Sequence, residues 1–269
     1  MSMNSVNTNR QAIVALQSLN QTNADLGSVQ KRVSTGLRVA DARDDGGAFA
    51  VASAVRSDIA GVTAVNEQLG GIKGILQTTF AALTQVTDTM RQARQVLTRL
   101  SDGAISADQR TQYNAQYTSL AEQIGTFISD ANYNGTTLLG GSNIVSIRNE
   151  AGDNFTIMAE TAAPLQIASG PYALATAANA YLIGGFAGVE TAISSALNKF
   201  GASMQYVENQ ITYNSKKNDA LTDGLGALVD ADLAKESANL QSLQTRQQLG
   251  IQTLSLANQG PQVLLSLFR

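Results

Sequence analysis

Few residues in this chain have types and spacings that could do chemistry. Ser28-Val29-Gln30-Lys31 has the S-x-x-K spacing with which a lysine can activate a serine hydroxyl for acyl transfer. No S-D-N or K-T-G companion occurs, and the segment lies on an amphipathic stripe, so a solvated helix surface is the simpler reading. Asp41, Asp44 and Asp45, just before Gly46-Gly47, gather three carboxylates, but without the alternating oxygen ligands and terminal Glu of an EF-hand. Capping of a helix from Ala48 onward is the role expected of them. Asp230 and Asp232 read as negative charge complementing a helix N-terminus. Gly184-Gly185-Phe186-Ala187-Gly188 lacks both G-x-G-x-x-G spacing and a Walker lysine, so it does not describe a phosphate cradle. The sequence holds no His, Cys or Trp. A Ser-His-Asp triad or a zinc site built on imidazole or thiolate cannot be assembled. Carboxylates and lysines could still act as acid and base, yet no pair stands apart from ordinary surface charge. No catalytic, cofactor or metal residue is nominated, and the reading is that of a protein that is not an enzyme.

Charge and hydropathy narrow the class further. Eighteen basic against twenty-one acidic residues give a net charge of −3, too little positive charge for a phosphate-tracking surface, so nucleic acid is not expected as a partner. No stretch approaches the roughly 18 uninterrupted apolar residues of a membrane-spanning helix, and membrane insertion is not expected. Met1 to Arg10 is rich in Asn and Ser and carries no signal-peptide core. Sec-type secretion is therefore not indicated, whereas export by another route stays open. Aromatic residues make up 5% of the 269 residues and Pro occurs three times, a composition suited to long helices with small and amide side chains in their seams.

The elements that would position these residues follow from periodicity. Ala12, Leu19, Leu26 and Val33 recur every seventh residue, with Ala15, Leu16 and Val29 near the same stripe, and predict a helix ending at the Thr35-Gly36 cap. A polar connection, residues 37–47, follows. A second helix is predicted from Ala48 to about Leu100, weakened locally by Gly70-Gly71 and Gly74, and a third begins at Ser106 and runs to Ile128. Asn134-Gly135 marks a turn, and alternation on either side of residues 149–153 predicts a hairpin near residues 143–159. Pro164, Gly170-Pro171 and Gly184-Gly185 suggest loop with a short helical turn. Helical patterning returns from Val189 and is expected to break at Gly224 and Gly226. A last helix, from about Ala227 toward Asn258, places Leu233, Leu240 and Leu254 in one seven-residue phase and Leu243 and Ala257 in another. The final residues, Val263 to Phe268, include Leu264 and Leu267 and are too apolar to be left in water.

The expected fold is mainly α: long antiparallel helices in a coiled-coil-like bundle with both chain ends paired, plus a small β-hairpin region. Its divisions are an N-terminal helix (1–36), a linker (37–47), a helical rod with the hairpin (48–223) and a C-terminal helix (224–269). Thin, polar-interrupted stripes at both ends predict segments that fold on a partner, for which an identical neighbour is the simplest candidate.

The residues also resemble a family. Leu16 to Ala48, with Lys31-Arg32-Val33-Ser34-Thr35-Gly36-Leu37-Arg38-Val39 and Asp44-Asp45, is similar to the R-L-S-T-G-L-R-I and D-D-A-A-G run of bacterial flagellin. Tyr133 to Leu139 resembles its F-N-G-x-x-L-L turn, Val229 to Glu236 its D-A-D-x-A-x-E segment, and Ala257 to Arg269 its A-N-Q-x-P-Q…L-S-L-L-R ending. The chain departs from the family at Gly46-Gly47, where Ala-Ala is usual, and at Gly226-Ala227-Leu228.

The resemblance implies a subunit that polymerises into the extracellular flagellar filament. The two terminal helices would form its innermost layer, with Leu19, Leu26, Val33, Leu240, Leu243, Leu254, Leu264 and Leu267 as assembly residues. Thr35 to Asp45, and within it Thr35, Gly36, Arg38, Asp44 and Asp45, would form the spoke. It also implies type III export, an export chaperone on the C-terminal helix, and filament cap and junction proteins as partners. Only Ile144 to Gly188 is available for the variable outer region, so the chain looks like a minimal form. Where receptor-recognised flagellins read R-x-R-E-L, this chain reads Thr89-Met90-Arg91-Gln92-Ala93, losing a cation, a carboxylate and a Leu anchor. Weak recognition by the Toll-like flagellin receptor is expected. A hook–filament junction protein shares the same end architecture and would be told apart by copy number. A helical secreted adaptor would stay soluble at high concentration, and an enzyme would turn over some ligand.

Overall fold

The computed structural model describes residues 9–267, with side chains described through residue 259. Among the described residues the order is α1 (Arg10–Thr35), α2 (Gly46–Leu100), α3 (Ala107–Ser129), β1 (Ile144–Ile147), β2 (Asn154–Ile157), a 3-10 turn (Ala163–Leu165), α4 (Ala175–Tyr181), a π-helical turn (Leu182–Phe186), α5 (Ala187–Val229) and α6 (Leu233–Leu267). The chain forms two compact units. One is made of residues up to 57 together with those from 220 onward, the other of residues 58–219.

The second unit is organised by heptads. On α2, Val62, Leu69, Leu76, Leu83, Met90 and Leu97 recur every seven residues, and so do Val65, Ile72, Thr79, Val86, Ala93 and Leu100; all twelve are buried. That 3–4 alternation is the seam of a coiled-coil-like bundle. Phe186, at the end of the π turn, and Ile193, Phe200 and Val207 on α5 follow the same period, and Tyr117, Leu120, Ile124 and Ile128 of α3 join them in one core. α3 opens on a capping box, with Ser106 Oγ accepting from Gln109 N–H and the Gln109 side chain accepting from Ser106 N–H. β1 and β2 pair antiparallel, with Ile144 opposite Ile157 and Ile147 opposite Asn154.

The hairpin rests on one stripe of α5. Phe155 stacks on Tyr206 at 4.1 Å between ring centroids. The Arg148 carbonyl accepts from Gln210 Nε2 (3.0 Å) and from Asn214 Nδ2 (3.2 Å), and Glu150 pairs with Lys217. Residues 206, 210, 214 and 217 share a helix face by their spacing.

Three glycine positions depart from the sequence expectation. Gly184-Gly185 does not break the chain into a loop: it forms the π turn that leads directly into α5, and the Tyr181 ring occupies the space a Gly185 Cβ would need, at 2.4 Å. Gly224 and Gly226 likewise do not end a helix, since α5 continues to Val229 and the last helix starts at Leu233 rather than near 224–227. Helix-breaking residues lose here because neighbouring turns keep their hydrogen bonds, and each glycine costs only about 1 kcal/mol. Gly46 and Gly47 form the first turn of α2, so the linker is shorter than expected. Two helical stretches, within Gly46–Leu100 and Ala175–Val229, are long and apolar enough by composition alone to cross a bilayer, because Ala and Gly fill the positions between seam residues. The expectation from uninterrupted apolar runs did not register them.

Candidate assembly surface

The first unit is built on the α1–α6 pair. Asn9 Nδ2 donates to the Ala257 carbonyl (2.7 Å), Gln247 Nε2 donates to Asn23 Oδ1 (2.8 Å), and Arg32 reaches Glu236 (3.5 Å). As one index rises the other falls, so the helices run antiparallel. Ala12, Ala15, Leu19, Thr22, Leu26, Val29 and Val33 are buried or half-buried on α1, where Lys31 and Arg32 near its end are half-buried too, and Glu236, Leu240, Leu243, Gln247, Gly250, Leu254 and Ala257 are the buried or half-buried described positions of α6. Both sets alternate three and four residues, the spacing of knobs facing a single partner helix. Leu19 approaches Gly250 so closely that a Cβ there would lie 3.1 Å from Leu19 Cδ1. Every described residue nominated for assembly, namely Leu19, Leu26, Val33, Leu240, Leu243 and Leu254, lies on this seam inside the chain. The side chains of Leu264 and Leu267 lie outside the described residues.

A second apolar set faces away from the seam. Ile13 (60% exposed), Val14 (65%) and Leu16 project from α1, and Leu249, Ile251 and Leu256 (69%) from α6. By the antiparallel register these are the same end of the pair, the one far from the linker. An open groove of about 470 Å³ lies beside Val14, lined also by Ala15, Ser18 and Thr253 with Arg10 and Gln11. Sequence periodicity picked out the seam but not this set, and it placed Leu16 near the seam stripe, whereas the side chain is exposed because it lies one residue past the seam position Ala15.

The linker end is closed by backbone and charge. Gly36 takes the left-handed cap (φ 72°), its N–H donating to the Arg32 carbonyl at 2.9 Å. The chain then runs beside the end of α5. Arg38 and Val39 N–H both donate to the Val229 carbonyl, Ala231 N–H donates to the Gly36 carbonyl, and the Arg38 guanidinium donates to the Leu228 carbonyl at 2.5 Å. Carbonyls that a helix C-terminus leaves open are thereby satisfied. Val39, Ala52 and Val229 form a small buried cluster with Leu37, Phe49 and Leu225 around them.

The Asp41–Asp44–Asp45 trio splits into two tasks. Lys31 Nζ donates to Asp41 Oδ2 (2.9 Å) and Asp44 Oδ2 (2.8 Å), folding the loop back on α1. Asp44 Oδ2 also accepts from the Ala40 and Asp41 amides, and Asp45 Oδ1 accepts from Ala48 N–H as the cap of α2. The Lys31 ammonium, with the Arg43 amide, holds Asp41 well below the ordinary carboxylate range, and the Lys31 ammonium with the Ala40 amide does the same for Asp44. The two carboxylates raise Lys31 in turn. Thr35 Oγ1 accepts from Leu37 N–H. Thus Thr35, Gly36, Arg38, Asp44 and Asp45 all make bonds that tie this linker to itself or to the helix ends beside it, and Lys31, Val39, Val229 and Asp41 join them. The pairing of Lys31 with carboxylates ten and thirteen residues on has no local periodic signature in sequence. Asp232 Oδ1 accepts from the Ala234 and Lys235 amides as the cap of α6, while Asp230 bridges to Leu37.

In the second unit, Thr89, Met90 and Ala93 are buried in the α2 seam, whereas Arg91 and Gln92 face solvent. Arg91 pairs with Asp88 (2.9 Å), and Arg94 makes two 3.1 Å hydrogen bonds to Glu190.

An antiparallel seam joining the chain ends, with further large aliphatic side chains left in water, describes a building block. Comparison with known proteins places it. Residues 6–144 match the bacterial flagellin N-terminal helical region, and residues 187–268 match the bacterial flagellin C-terminal helical region. Flagellin FljK of Caulobacter vibrioides is 37% identical over all of this chain and all of its own length. A flagellin of Brucella melitensis is 34% identical over 99% of this chain and all of its own length, and flagellin FlaB1 of Treponema pallidum is 27% identical over 98% and 99%. The chain belongs to the bacterial flagellin family and is a structural subunit of the helical flagellar filament that serves motility.

Proposed function

We propose that two sets of apolar side chains on the α1–α6 pair divide the work of assembly. Leu19, Leu26, Val33, Leu240, Leu243 and Leu254 hold the pair together within a subunit. Ile13, Val14, Leu16, Leu249, Ile251 and Leu256 dock neighbouring subunits. The observation that carries this is the concentration of exposed aliphatics at the end of the pair opposite the bonded linker. A contact of this kind is heterologous, and when its rotation does not close it generates an open helix. The linker from Thr35 to Asp45 fixes how the pair leaves the rest of the chain, which is the spoke role. The experiment is polymerisation of Val14→Asp and Leu256→Asp variants, followed by electron microscopy and sedimentation. Helical monomers that fail to form filaments are expected; filaments at the wild-type yield would overturn the assignment.

The same reading extends to delivery and partners. The chain reaches the exterior through the flagellar type III route, an export chaperone covers α6 before assembly, and cap and junction proteins meet the same end surfaces. Innate recognition is weak, since Gln92 and Ala93 stand where the recognised motif has a carboxylate and a Leu anchor and since Ala93 is buried. A receptor reporter assay showing activation at the level of a motif-bearing flagellin would refute this last point. The role is structural, without catalysis.

A further inference from the structure

Asn134-Gly135 is the only Asn-Gly pair in the sequence. An asparagine before glycine can lose its amide: the glycine nitrogen attacks the side-chain carbonyl carbon, ammonia leaves, and water opens the resulting five-membered imide to aspartate or isoaspartate. Glycine has no Cβ to hinder that attack. Both residues are exposed here, so solvent access offers no protection.

We propose that Asn134 is a latent deamidation site and that the Asn132 side chain guards it. Asn134 (φ 49°) and Gly135 (φ 81°) both lie at positive φ, the requirement of a type I′ turn. Tyr133 and Thr136 close the turn with two backbone hydrogen bonds, 2.9 and 3.0 Å. The Gly135 N–H, whose nitrogen is the nucleophile, donates to Asn132 Oδ1 at 2.8 Å. Asn132 is itself anchored by its N–H to the Asp130 carbonyl at 2.7 Å.

Ring closure must swing the Asn134–Gly135 peptide toward the Asn134 side chain. That motion lifts the Gly135 nitrogen off Asn132 and opens the bridge between Tyr133 and Thr136. The Tyr133 ring adds a further restraint, because it lies against α2 where a Gly74 Cβ would be only 2.8 Å from Cζ. The imide is therefore reached only after the turn opens, and the guard sets how often it opens. The consequence is local. Asn134 lines a groove with Ile72, Tyr133, Val145 and Ile147, so its conversion puts a carboxylate beside exposed aliphatic side chains. Isoaspartate also lengthens the backbone by one carbon within a two-residue turn.

The proposal is tested on the full-chain monomer held at mildly alkaline pH and 37 °C, with peptide mass spectrometry following the aspartate and isoaspartate that replace Asn134. The samples are wild type, Asn132→Ala, Asn132→Ser and wild type in urea. Asn132→Ala is expected to convert about fivefold faster than wild type, the factor that loss of one hydrogen bond of ~1 kcal/mol gives. Asn132→Ser, whose hydroxyl can still accept from the turn, falls between them, and the urea sample is fastest. A folded Asn132→Ala that converts at the wild-type rate overturns the proposal, as does a folded wild type that converts at the urea rate. Should Asn132→Ala fail to show native circular dichroism, the Asn132→Ser rate and the folded-to-urea ratio decide by the same criteria.

Discussion

Gly70 and Gly74 sit one turn apart inside α2, and sequence gives both the same cost. Each weakens a helix by about 1 kcal/mol relative to Ala. The structure separates them. An added Cβ at Gly70 meets nothing within 4 Å, whereas at Gly74 it lies 2.8 Å from Tyr133 Cζ, 3.0 Å from Cε2 and 3.1 Å from Oη. Gly70→Ala should therefore gain about 1 kcal/mol of stability. Gly74→Ala has the same backbone gain but displaces the Tyr133 ring. The ring is 44% exposed and can swing outward, so the loss is its packing against α2, about 1–2 kcal/mol. The gain is cancelled or reversed, leaving Gly74→Ala about 1–2 kcal/mol less stable than Gly70→Ala. Urea unfolding of the monomer followed by circular dichroism measures both. The decisive comparison is a Tyr133→Ala background, in which Gly74→Ala should become as stabilising as Gly70→Ala. If the two glycine variants stabilise wild type equally, the ring does not explain the glycine.

Within the first unit, Leu26→Ala should cost about 1–2 kcal/mol, because the residue is half-buried on the seam, and hydrogen exchange should speed along both α1 and α6. Ile13→Ser, on the exposed face, should leave monomer stability within about 0.5 kcal/mol while raising the concentration needed for filaments. Removal of residues 261–269 should abolish polymerisation in a sedimentation assay; unchanged polymerisation would remove the C-terminal end from the interface. The linker should respond to acid. Asp41 and Asp44 have folded pKa values below their unfolded ones, so their contribution is complete above the unfolded value of about 3.9 and is lost as pH falls through the depressed folded values. Hydrogen exchange of the Ala40 and Asp41 amides should rise in that window, and Lys31→Met should move the rise to higher pH.

How much of this was legible depended on whether a signal was periodic or long-range. The α1 and α6 stripes were readable because Leu19, Leu26 and Val33, like Leu240 and Leu254, repeat at the seven-residue interval that a facing helix imposes. The caps were readable for a similar reason, since Ser106 with Gln109 and Gly36 after Thr35 are signals contained within one turn. Glycine misled at Gly185, beside the Tyr181 ring one turn back, and at Gly224 and Gly226 within α5, because a cost of about 1 kcal/mol does not end a helix whose neighbouring turns keep their hydrogen bonds. In the linker, the Asp45 cap of α2 was legible but the long-range pairing was not. Arg38 with Leu228 and Lys31 with Asp41 and Asp44 depend on which segments the fold brings together, and no spacing within either segment announces the partner.

The split between seam and outer face follows from that same distinction. A strict heptad is selected by the one helix that is always opposite, so a residue on it must fit whether or not a filament exists. Among the outer aliphatics, Ile13, Val14 and Leu16 on α1 with Leu249, Ile251 and Leu256 on α6, one pair, Leu249 and Leu256, falls seven residues apart, and the set forms no sustained stripe. Sequence periodicity therefore reports the contact a subunit makes with itself. The proposed contact with its copies rests instead on the large apolar side chains that remain in water after the seam is paired. Exchanging the two classes should then separate two failures: Leu19→Ser should lower monomer stability, measured by urea unfolding, before it affects polymerisation, and Leu256→Ser should do the reverse. Equal effects of the two substitutions on both measurements would show that the pair has one apolar surface rather than two.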